Sequence, residues 1–81
     1  MIKVIIETRP DESKSIYSKD VAEATPIFAK KEGRLAGMVV NEKGKGWILK
    51  IGGKYGCSSW FLCRDDCLSS GEKFGYEFYI V

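Results

Sequence analysis

Eighty-one residues with 44% hydrophobic and 30% charged content make one domain, residues 1–81, close to the smallest size at which a single core folds unaided. Those ordinary values exclude wholesale disorder, and no apolar run approaches the roughly 18 residues of a membrane-spanning helix. The net charge of +2 conceals a basic middle: residues 28–56 carry seven Lys/Arg against two Asp/Glu, whereas residues 1–27 carry four against five and residues 57–81 two against four.

The chain opens on MIKVIIETR, where Ile2, Val4 and Ile6 alternate with Lys3, Ile5 and Glu7. That period of two predicts a strand. TRPDESKS, with Pro10, Asp11 and hydroxyl residues, reads as a loop by composition. Ser18 is placed to cap one short helical turn through SKDVAEA, ended by Pro26. PIFAKK and LAGMVVN are β-rich runs around Glu32-Gly33-Arg34, a tight-hairpin signal, and a second turn follows through Asn41 to Gly46. In the next strand Trp47, Leu49 and Ile51 share a face, leaving Ile48 and Lys50 to the other.

CRDDCLSSGEKFG changes period. Acids at Asp65 and Asp66, apolar or small residues at Cys67, Leu68, Gly71 and Phe74, and Gly75 as a left-handed stop together predict a short helix. Gly71 costs that helix about 1 kcal/mol against Ala unless it permits close approach to a sheet. YEFYIV closes the chain as a strand. The expected fold is α+β: a small antiparallel sheet of about four to five strands with one C-terminal helix on one face.

Histidine is absent, which removes Ser–His–Asp and Cys–His catalysis. Adjacent Asp65 and Asp66 point about 100° apart on a helix, so they complement its dipole rather than converge on a metal. Glycines 44, 46, 52, 53 and 56 fit neither GxGxxG nor GxxxxGK[ST]. The expectation is a protein that is not an enzyme and uses no cofactor or metal. Cys57, Cys63 and Cys67 match no common zinc knuckle; a Cys57–Cys63 disulfide is open, but reduced cysteines serving as small hydrophobes fit better. An odd cysteine count with no signal peptide points to the cytoplasm.

GKGWILKIGGKYG raises the functional question. As structure, Trp47 is a core anchor and its glycines are turns. Yet Lys30, Lys31, Arg34, Lys43, Lys45, Lys50 and Lys54, with Tyr55, come from neighbouring hairpins. Cations beside an accessible ring suit RNA or single-stranded nucleic acid; an edge guarded against aggregation, or a protein-facing surface, is the alternative. A free edge strand also allows a homodimer.

With GWILKIGG feeding a short helix and GYEFYIV ending the chain, the plan of residues 34–81 resembles small accessory proteins of tailed phages. The resemblance implies a protein that binds and inhibits a host or defence factor, such as a nuclease or toxin–antitoxin component, in the host cytoplasm. It carries no residue assignments.

Overall fold

The computed structural model describes residues 2–9, 12–52, 54–55 and 60–80. Among the described residues seven strands form one sheet: β1 (Lys3–Arg9), β2 (Glu12–Tyr17), β3 (Ile27–Lys31), β4 (Arg34–Glu42), β5 (Gly46–Ile51), β6 (Lys54–Tyr55) and β7 (Glu77–Ile80). Their spatial order is β2-β1-β7-β3-β4-β5-β6, and α1 (Arg64–Lys73) lies between β6 and β7 in the chain. The α+β class is as the sequence predicts. The sheet is larger and mixed, because β1 and β7 run parallel while the other pairings are antiparallel.

The two additional strands are the edges. β2 replaces most of the loop expected through TRPDESKS; a strand paired along one side needs no strong apolar alternation, so Ser and Lys are tolerated there. Pro10 and Asp11 lie outside the described residues. β6 is two residues long, too short for a periodic signal. The last strand, β7, is threaded between β1 and β3, which places Phe78 near the middle of the sheet with 2% exposure.

The core occupies one side. Val4, Ile27, Ala29, Val39, Trp47, Leu49 and Phe78 point from the sheet toward Cys67 and Leu68 of α1. Trp47 is thus a core anchor, as expected of a large ring on the apolar face of β5. Gly71 completes the contact: a Cβ there would stand 2.7 Å from Phe78 Cζ and 3.2 Å from Leu49 Cδ2. Gly75 takes φ +92° and ends the helix as expected. Phe74 departs from the predicted apolar stripe, because the helix stops before it and the ring is 62% exposed.

The turn predicted through SKDVAEA is a 3₁₀ turn of only Ser18–Asp20, capped at Tyr17, so Ser18 lies inside it. Ser18 is fully buried instead. Its Oγ donates to Asp65 Oδ1 and lies 3.4 Å from the donating Ile2 N–H, while its own N–H donates to the Ile2 carbonyl. Arg64 reaches across to the carbonyls of Ser18, Val21 and Ala22 and packs its guanidinium 5.7 Å from the Trp47 ring centre. One helix start therefore fastens the 18–22 segment to β5.

Candidate nucleic-acid interface

The side of the sheet away from α1 is the candidate surface, and its residues follow from register. Phe28 of β3 lies opposite Tyr79 of β7 and Met38 of β4; Tyr79 lies opposite Ile5, and Met38 opposite Lys50. One transverse row thus runs Ile5–Tyr79–Phe28–Met38–Lys50, all half-buried, with Lys50 paired onward to Tyr55 of β6. In a neighbouring row Lys30 sits between Glu77 and Leu35. Lys3, two residues before Ile5, falls level with Glu77 on the adjacent parallel strand. Ile48, level with Val40, is buried on this same side.

Local chemistry orders these groups. Lys30 Nζ stands 4.4 Å from the centre of the Tyr79 ring, and the Tyr79 hydroxyl donates to Glu77 Oε2 at 3.2 Å. The Tyr79 ring holds the Lys30 cation beside Phe28.

A β-bulge shapes the adjoining part of the face. Ala29 is opposite Gly37 but Lys30 is opposite Leu35, so Ala36 is an extra residue on β4. Under regular alternation Leu35 would share the core parity of Gly37 and Val39. The bulge turns Leu35 onto the open face, where it is 66% exposed. Gly37 makes this possible, since a Cβ there would fall 1.8 Å from the Lys50 carbonyl oxygen, leaving no room for a side chain between β4 and β5. Beside the bulge lies an apolar groove of about 440 Å³ bordered by Phe28, Leu35, Ala36, Met38, Val40 and Lys50.

The basic residues singled out in the sequence do not form one cluster. Lys30 and Lys50 lie on the open face, as alternation from Ala29 and Leu49 requires. Lys31 points to the helix side, with its Nζ 5.2 Å from the Tyr76 ring centre, and Arg34 is its register partner at the hairpin end. Lys43 and Lys45 occupy the turn at the far end of β4, nine residues long or about 25–30 Å, where Lys45 Nζ stands 5.3 Å from the Trp60 ring centre. Lys54 and Tyr55 pair through their backbones with Ile51 and Lys50; their side chains, and Cys57, lie outside the described residues. Hairpin neighbourhood suggested clustering, but a long central strand separates its two turns.

Sequence reasoning missed Lys3, Phe28 and Tyr79. Nothing local signals them, since they meet only through the β1–β7 and β3–β7 pairings. Asp65 and Asp66 diverge as expected, one accepting from Ser18 and the other from Cys63 Sγ at 3.0 Å. Among the described residues no group of three or more His, Cys, Asp or Glu side chains is placed to hold a metal ion. No described helix is long and apolar enough to cross a membrane.

Comparison with protein-family models, curated proteins and solved structures finds no match for the chain.

Proposed function

We propose that this protein is a non-catalytic binding module that takes single-stranded nucleic acid, RNA or DNA, on the helix-free face of its sheet. The observation that carries the reading is the Phe28 row, in which a half-buried ring has Lys50 two strands away, while Lys30 of the neighbouring row is held over Tyr79 beside it. A flat apolar platform with flanking cations is what a strand of stacked bases and phosphates requires. Lys3 extends the cationic border toward β2.

Fluorescence polarisation with a labelled twelve-nucleotide oligo(dT) or oligo(U) tests it. Affinity should fall steeply with salt, and Lys30→Gln and Lys50→Gln should each reduce the salt slope by about one. Absence of binding at low salt would reject this function.

A second reading, a phage-type inhibitor of a host or defence protein, is favoured by Leu62 and Phe74. They flank α1 at its two ends, 97% and 62% exposed. In that case Leu62→Ser and Phe74→Ser should abolish capture of one protein from nuclease-treated lysate, while Lys30→Gln and Lys50→Gln leave it unchanged.

A further inference from the structure

The structure assigns a more particular role to the groove at the β4 bulge: it is a pocket for one unstacked nucleobase of the bound strand. This rests on the single-strand reading and adds the specific site within the open face.

Three observations converge on it. The groove's walls are apolar, with Phe28 supplying a ring for stacking and Met38 and Val40 the adjoining surface. Its volume of about 440 Å³ lies in the range of small-ligand clefts, roughly 300–1,000 Å³, and so has room for a base with its sugar. Among the described residues Lys50 is the one charged residue lining it, and Lys30 lies level with Leu35 at its border. A ligand that is flat, apolar and anionic at one end matches this wall.

The bulge gives the site a built character. Regular pairing would direct Leu35 into the core, where a leucine is ordinarily stabilising. Instead Ala36 is inserted and Gly37 is squeezed against Lys50, with the result that a large apolar side chain stands 66% exposed at the border. Bulges commonly re-aim a side chain beside a functional site. Leu35 is placed to close over the face of a base that rests against Phe28.

The test compares a twelve-nucleotide oligo(dT) with an abasic strand of equal length and charge, using the whole chain and the variants Leu35→Ser and Phe28→Leu. Neither substitution alters charge, so phosphate contacts are preserved. The natural protein should bind oligo(dT) about tenfold more tightly than the abasic strand, and each variant should narrow that ratio to about twofold without changing abasic affinity. Circular dichroism establishes that each variant is folded; Leu35→Ser, outside the stacking row, decides the pocket, and Phe28→Leu reports on base stacking as a whole.

An unchanged ratio in folded Leu35→Ser overturns the pocket while leaving the single-strand reading intact, whereas equal affinity of the natural protein for both strands overturns the pocket and the stacking of bases on Phe28 together. Failure to bind either strand at low salt overturns both. Light scattering supplies the remaining outcome: a self-complex of the natural protein that Leu35→Ser dissolves would make the groove a protein contact and reject the base pocket.

Discussion

Ser18 Oγ donates to Asp65 Oδ1 across 47 residues of sequence, joining a fully buried hydroxyl to the first turn of α1. The same oxygen faces the Ile2 N–H, so one small side chain serves the start of β1 and the helix together. Ser18→Ala should cost about 1–3 kcal/mol, because partners are left unsatisfied where water enters poorly. Urea unfolding measures this, and the midpoint should fall with little change in slope. A loss below about 0.5 kcal/mol would show that water replaces the hydroxyl freely.

Gly71→Ala separates helix propensity from packing. An exposed helical site would gain about 1 kcal/mol from the change. Here the new methyl would meet Phe78 Cζ at 2.7 Å, and that ring is itself buried. The expected outcome is a net destabilisation of about 1–3 kcal/mol, read by thermal or urea unfolding, with secondary structure retained. A stabilised variant would mean that α1 lifts from the sheet without penalty.

The β3–β4 turn carries a correctable strain. Glu32 and Gly33 both have positive φ, +54° and +79°, the geometry of a two-residue type I′ hairpin. Glycine accepts it readily, but glutamate pays about 1 kcal/mol for the left-handed region. Glu32→Asn should therefore raise stability by about 0.5–1 kcal/mol. The melting temperature provides the check, and oligonucleotide affinity should improve slightly at most, since one nearby anion is removed.

Cys63 should be a slow nucleophile despite its exposure. Its thiol donates to the Asp66 carboxylate, and this hydrogen bond, reinforced by the charge of Asp66, raises its pKa above the ordinary cysteine value. At a given pH near neutrality less thiolate is present, so alkylation should begin at higher pH than for a free cysteine. Asp66→Ala should shift the iodoacetamide rate profile to lower pH. A Cys57→Ser background keeps the readout on Cys63, since Cys67 is buried. An unchanged profile in Asp66→Ala would show that the carboxylate does not govern this thiol.

The sequence by itself determined the elements whose residues repeat with a regular period. The alternations in KVIIE, PIFAKK, LAGMVVN, WILKI and EFYI all became strands, and Gly75 marked the end of the last helix, while close approach at Gly71 was one of two roles that the sequence left open. Parity along β5 correctly divided Trp47 and Leu49 from Lys50. Such patterns are local, because each strand or helix must turn its own apolar residues toward one side. Tertiary structure alone decided the pairings that join distant segments. It placed β7 parallel to β1, which aligned Ile5, Tyr79 and Phe28, and it added β2 and β6 at edges where little apolar pattern is needed. It also sent Lys43 and Lys45 to the opposite end of β4 from Lys31 and Arg34, because a strand's two turns lie a strand length apart. The bulge at Ala36 was equally hidden. An extra residue is visible only against its partner strand, and it reverses the facing of every side chain beyond it, Leu35 included.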